Sequence, residues 1–425
     1  MNASTAEEKK PSQVALPEPL TLDIALQYAE QAHPDIAIAR AQLDSALADR
    51  QQAEADNGIK ASIIASSNFV DPASFSRDQD NGDHSVSLIA RKNLYDFGRS
   101  DAALASADAS IQGSRLAFQQ TKYARQIEIM GRFFDVLLAD LEFLRDNEAI
   151  AIDFIRFDRR QERQRLGQAT ELEVLELESR FQQQRVKLNA SQARQRAARA
   201  RLALAMNVPK QLPATLSEPV LRSEKRKIPS YEDLLQQAVD NNFEIREARS
   251  RLEAAREQLR AARAGDNPTL IGEASAQSRT REVGSSDRAR IGITLEIPLT
   301  DGGSTRANVA KQLSAVHRWQ AVVRQKEYDL REQVLTQWLE LDRLRIERQR
   351  VDKLIEFTEL NLDDRRLKYE LELQADLGNA MTQITDAQLQ HARIRYATEL
   401  AWARLDAMLG KDPISTDSTK KVPPK

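Results

Sequence analysis

The stretch NLYDFGRS, residues 93–100, joins two kinds of sequence. Ahead of it, SVSLIARKNL (85–94) alternates: Val86, Leu88, Ala90 and Leu94 point one way, and Ser85, Ser87, Arg91 and Asn93 the other. Lys92 is a charged exception on the apolar side. A period of two is the signature of a strand with one apolar face. Behind the stretch no proline occurs until Pro209 and the sequence reads as helix, so Asp96 and Gly98 mark a strand-to-helix turn. PLTDGGST, residues 298–305, makes the same junction again. It follows RIGITLEIPL (290–299), where Ile291, Ile293, Leu295, Ile297 and Leu299 alternate with Arg290, Gly292, Thr294 and Glu296.

The two junctions belong to a duplication. Leu94, Asp96 and Gly98 fall on Leu299, Asp301 and Gly303 at an offset of 205, and Arg160 and Leu166 fall on Arg365 and Leu371 at the same offset. Ile36, Ala39, Arg40, Leu43 and Ala46 fall on Ile245, Ala248, Arg249, Leu252 and Ala255 at an offset of 209. Each half therefore reads helix, strand, strand, very long helix, turn, helix. The expected divisions are an N-terminal extended segment (1–19), a first repeat (20–206, strands about 61–70 and 85–95), a Pro-rich linker (207–230), a second repeat (231–410, strands about 269–278 and 290–299) and a C-terminal tail (411–425).

Charged residues make up 30% of the 425 and aromatic ones 5%, the makeup of long exposed helices rather than of a globular core. A formal net charge of −2 gives no basic excess for nucleic acid. With no cysteine, disulfides, thiolate metal sites and cysteine nucleophiles are excluded. His33, His84, His317 and His391 are scattered and no glycine-rich phosphate loop occurs, so neither an enzyme nor a cofactor is expected. No apolar run reaches the length of about 18 residues that a membrane-crossing helix needs. The first residues lack the apolar stretch of a signal peptide, which leaves a cytosolic protein or a mature form whose leader was removed.

Val309, Val316, Val323, Leu330, Leu344 and Val351 recur every seven residues, with Gln337 the polar member, and Leu313, Val334, Leu341, Ile355 and Leu362 form a companion row. Such a seam is narrow and calls for partner helices. The long helices, about 99–165 and 304–371, would each run roughly 100 Å at about 1.5 Å per residue. Those before the strands (about 21–57 and 231–264) and after the turns (about 171–206 and 376–409) are near half that length, so two end to end would match one long helix. The strands are about ten residues long, which suits barrel strands crossing a bilayer. Two hairpins lying apolar face inward on a soluble helical domain are the other reading. Four strands cannot close a spanning barrel, since the smallest have about eight, so other copies would have to supply the rest.

In this order these features resemble the TolC-type outer-membrane efflux protein family over roughly residues 20–410. The resemblance is carried by LTLDIALQYAEQAHPDIAIARAQL (20–43), the LYDFGR and PLTDGG junctions and the turn RLGQATELEVLELES (165–179). It implies a mainly α fold with a small β part: a homotrimer whose α-helical barrel continues a 12-stranded transmembrane β-barrel, four strands per chain. It implies a passive exit duct of a tripartite efflux pump or a type I secretion system, in the outer membrane with the helices in the periplasm. The implied partners are a periplasmic adaptor (membrane fusion) protein, an inner-membrane pump or ABC transporter, and outer-membrane lipid, with no nucleic acid and no cofactor. The alternative is a soluble periplasmic coiled-coil scaffold or an adaptor.

Site residues follow from the same resemblance. The adaptor-docking tips would be Arg165, Leu166, Gly167 and Gln168 in the first repeat and Leu371 and Glu372 in the second. Glu173 and Glu176, on one helical face, and Asp376 would border the periplasmic aperture, or remain solvated charges. Tyr95, Asp96, Gly98, Asp301, Gly302 and Gly303 would make the barrel–tunnel junction, with Tyr95 and Phe97 either at the membrane interface or simply packed within the junction. The second tip departs from the pattern: Glu372 stands where glycine is expected, and Gly378 and Met381 where carboxylates are.

Overall fold

In chain order the elements are α1 (Leu22–Gln27), α2 (Pro34–Asp56), β1 (Lys60–Phe69), β2 (Gly82–Tyr95), α3 (Arg99–Arg165), α4 (Glu171–Ala205), α5 (Tyr231–Asn241), α6 (Phe243–Arg263), β3 (Thr269–Arg279), β4 (Ala289–Glu296), α7 (Ser304–Glu370) and α8 (Leu377–Met408). The structure, a computed structural model, describes residues 16–30, 33–76, 78–280, 287–371 and 376–414. Among them no helix is long and apolar enough to cross a membrane. The helices expected over 21–57 and 231–264 are each broken in two. α2 starts at Pro34, whose missing N–H is tolerated only in a first helical turn. Asn242 leaves the helical region at ψ 130°, and its side-chain amide donates to the Met408 carbonyl at 3.1 Å.

The chain divides into two compact units, each drawing on both sequence halves. One comprises Met1–Ala37, Gln120–Asn242 and Leu330–Lys425. Its core gathers Ile129, Met130, Phe133 and Phe134 of α3, Leu202 and Ala205 of α4, and Leu20 and Leu26 at the N-terminal side. Phe134 stacks on Tyr396 of α8 with ring centroids 4.7 Å apart. Burial, with Glu218 nearby, pushes the Tyr396 hydroxyl up to about 12. Along α7 in this unit Leu330, Val334, Gln337, Leu341, Leu344, Val351 and Thr358 are buried, so the seven-residue seam is a packing seam. Gln337 departs from it, its Nε2 buried without a partner.

The other unit comprises Ile38–Gln119 and Phe243–Asp329. Here Leu252, Ala255 and Leu259 of α6 meet Val316 of α7, flanked by Val309, Trp319 and Val323. Lys326 and Arg249 reinforce this contact through Glu244 (2.7 Å) and Glu327 (2.9 Å). Leu313, expected in the companion row, is exposed, because α6 covers only one row of α7 in this stretch.

The strands of this unit form one antiparallel sheet in the order β1-β2-β3-β4. Its central pairing, β2 with β3, joins the hairpins of the two halves, with Leu88 opposite Ala276 and Ala90 opposite Ala274. The register puts Ile63, Ala65, Val86, Leu88, Ala90, Ala274, Ala276, Ile291 and Ile293 on one face. Ser66, Ser85, Arg91, Glu273, Ser275 and Thr294 lie on the other, where Arg91 Nε donates to Glu273 Oε2 at 2.6 Å. The apolar face is bare: Ile63 is 72% exposed, Leu88 49% and Ile293 69%. That overturns the reading of hairpins packed apolar face inward on the helices. β2 begins at Gly82, ahead of the expected position 85, and β4 ends at Glu296, short of 299.

Candidate functional sites at the junctions and helical tips

At the first junction β2 ends with a register shift between Asn93 and Tyr95, a bulge that frees the chain from the ladder. Phe97 and Gly98 then take positive φ, 54° and 87°, and α3 begins. Asp96 is buried, and its Oδ2 accepts from the Ser100 N–H at 2.9 Å and from the Ser100 hydroxyl, satisfying an orphan donor of the first helical turn. The second junction repeats the device in the open. Gly302 and Gly303 have φ 67° and 90°, and exposed Asp301 accepts from the Gly303 N–H at 2.8 Å and from the Thr305 N–H. Phe97 thus holds a left-handed conformation that glycine holds at the equivalent Gly302, a costly choice for a bulky residue. Its ring meets Tyr95 edge-on at 4.7 Å, and both are exposed.

The first tip is a reversal between α3 and α4. Gly167 has φ 72°, the Gln168 N–H bonds the Arg163 carbonyl at 2.8 Å, and the Gly167 N–H bonds that of Gln164 at 2.9 Å, closing the α3 end in a Schellman motif. No atom lies within 4 Å of where a Gly167 Cβ would be, so its backbone conformation and not space selects glycine there. Arg165 pairs with Glu162 at 3.1 Å, while Leu166 is exposed.

Thr170 opens α4 with a capping box: the Glu173 N–H donates to the Thr170 hydroxyl at 3.3 Å and the Thr170 N–H to Glu173 Oε2 at 2.8 Å. That backbone N–H, then the Thr170 hydroxyl and the Arg160 charge, hold the Glu173 carboxyl below the usual carboxylate range. Glu176 is bonded by Arg180 at 2.6 Å. Both glutamates are therefore engaged within their own tip. Thr170 was not among the expected residues, although its T-x-x-E spacing is a readable capping signature.

At the second tip Leu371 follows the last turn of α7 and is exposed, and Glu372 lies outside the described residues. Asp376 is the N-cap of α8, accepting from the Asn379 N–H at 3.1 Å. Its carboxylate also takes two hydrogen bonds from Arg156 of α3, which tie the second tip to the helix that carries the first. Burial alone would raise the Asp376 carboxyl, but the Arg156 hydrogen bonds, the Asn379 N–H and the nearby arginine charges outweigh it and the carboxyl is lowered. Arg156 had no signal in the sequence, lying 220 residues from its partner. Leu166, Leu172 and Leu175 around the first tip, and Leu367, Tyr369, Leu371 and Met381 around the second, are all exposed.

Comparison with known proteins agrees with this architecture. Residues 234–411 match the family described as outer membrane efflux protein. The curated relative Protein CyaE of Bordetella pertussis is 26% identical over 246 residues, and the match spans 55% of this chain but only 50% of that protein. The crystal structure of the outer membrane protein VceC of Vibrio cholerae superposes with a TM-score of 0.73 at 17% identity, covering 92% of this chain and 96% of VceC. The Campylobacter jejuni CmeC outer membrane channel gives 0.73 at 14% identity, covering 93% of this chain and 87% of CmeC. Residues 234–411 are thus similar to the outer membrane efflux protein family, and over nearly all its length the chain has the fold of the VceC and CmeC outer-membrane structures.

Proposed function

We propose that the protein is the outer-membrane exit duct of a tripartite efflux pump or a type I secretion system. It acts as a homotrimer through which transport is passive and whose periplasmic end opens when an adaptor docks at the helical tips. The bare apolar face of the four-stranded sheet carries this reading. Ile63, Leu88, Ile291 and Ile293 would be untenable in water side by side, whereas lipid gives them a solvent. Strands β1 and β4 are both sheet edges, which closure with neighbouring copies would pair. Three copies give twelve strands, enough for a spanning barrel. A soluble scaffold or adaptor has no use for such a face.

The adaptor would meet the exposed leucines of the two tips, with Gly167 shaping the first, and an inner-membrane pump or ABC transporter would supply the energy. Cell fractionation tests this directly. We expect detergent-extractable trimers in the outer membrane; a monomer that is fully soluble without detergent refutes the duct. Efflux and secretion assays in a deletion strain then separate the two transport systems.

A further inference from the structure

Lys92 is the one charged residue that the register places on the apolar face of β2 between His84 and Tyr95. It is exposed, it sits opposite Gly272, which offers no side chain, and among the described residues it has no ion-pair partner. The nearest charges along the strand, Arg91 and its partner Glu273, belong to the polar face and are already bonded to each other. An ammonium set in an otherwise apolar band is expensive unless its head reaches a polar layer or a counter-charge.

The position of Lys92 along the strand says which layer that is. His84, on the same face and 2.9 Å from the Ser67 hydroxyl through its Nδ1, marks the polar limit at the loop end of the hairpin. From His84 to Lys92 is eight residues, about 27 Å along the strand, or roughly 20 Å across the membrane at the usual barrel tilt. The lipid-facing band of an outer-membrane barrel is about 25 Å tall. Lys92 therefore falls about 5 Å inside the boundary on the helix side, four residues before the Asp96 turn and close along the ladder to exposed Tyr95, which pairs with Leu270 where Lys92 pairs with Gly272. A four-carbon stem lying along Leu94, on the helix side, would deliver its ammonium to the phospholipid headgroups.

We infer that Lys92 is a lipid-binding residue whose ammonium pairs with the phosphate of an anionic phospholipid in the periplasmic leaflet. With three copies this makes three equivalent sites, which fix the depth of the barrel. The inference rests on the duct reading above, since it needs the apolar face to meet lipid.

The test is native mass spectrometry of full-length trimers released from nanodiscs of phosphatidylcholine with or without phosphatidylglycerol, alongside K92A and K92R, with membrane insertion and trimer content read separately. Wild type should retain phosphatidylglycerol over phosphatidylcholine. K92A should lose about five-fold of that preference per site, the weight of one basic side chain at an anionic surface, while K92R keeps it. Millimolar inorganic phosphate should not compete. Inserted trimers in which K92A retains lipid like wild type overturn the lipid site alone, as does a site that phosphate fills without lipid preference. A wild-type chain that neither inserts nor forms trimers overturns the duct and the lipid site together.

Discussion

Arg156 Nη2 lies 2.6 Å from one oxygen of Asp376 and 2.7 Å from the other, a contact between α3 and the start of α8. Both side chains are partly exposed, so the pair contributes only about 0.2–1 kcal/mol to stability. Its consequence is geometric, since it holds the two tips of one chain together. We expect R156A and D376N to raise single-channel conductance in planar bilayers with little change in thermal stability. Unchanged conductance would remove the pair from the aperture.

The same pair sets a pH dependence. Because the Asp376 carboxyl is lowered in the folded chain, its contribution is complete above the unfolded carboxylate value and is lost as pH falls through the folded one. Conductance should therefore stay flat from neutral to mildly acidic pH and rise only below the usual carboxylate range. A rise near neutral pH would point to another group.

At the first tip, Glu173 works as a cap rather than as a free charge. T170A should cost about 1 kcal/mol of helix stability. E173Q should preserve the capping box, which glutamine can complete, whereas E173A should lose that half of it and a comparable fraction of helix stability. If E173Q lowers cation selectivity while leaving thermal unfolding unchanged, the carboxylate also serves the aperture.

Gly167 separates shape from stability. Nothing occupies the space beside it, so a bulky replacement would project outward, at a backbone cost of about 1–2 kcal/mol for the left-handed conformation. G167W should impair efflux or secretion while trimers persist, measured by drug susceptibility and by cross-linking of trimers. Unimpaired transport would mean that the tip is not a docking point.

Along α7, Leu339, Ile346, Leu360 and Leu367 form a second heptad row, all exposed, interrupted by Lys353. In the proposed duct such a row would pack against a neighbouring copy. I346D should shift the protein from trimer to monomer in sedimentation in detergent while helix content by circular dichroism is kept. A trimer that survives I346D would place the subunit contact elsewhere.

Much of this was legible in the sequence because it is local and periodic. The alternation in 85–94 and 290–299, the heptad row from Val309 to Val351 and the Asp–Gly turns at 96–98 and 301–303 depend only on near neighbours, and duplication displays each signal twice. Thr170 and Pro34 were equally local, and their signals, T-x-x-E and a proline inside a helical pattern, point to the cap and the break that the structure has.

Contacts between distant segments were decided by tertiary structure alone. The pairing of β2 with β3 turns two hairpins into one sheet, and no residue pattern within either hairpin encodes it. The exposure of Ile63 and Ile293 could not be read either, because alternation fixes which residues share a face but not what covers that face. The grip of Arg156 on Asp376 likewise depends on how α3 and α8 come together in space, in a chain where arginine and aspartate are too common for either to stand out.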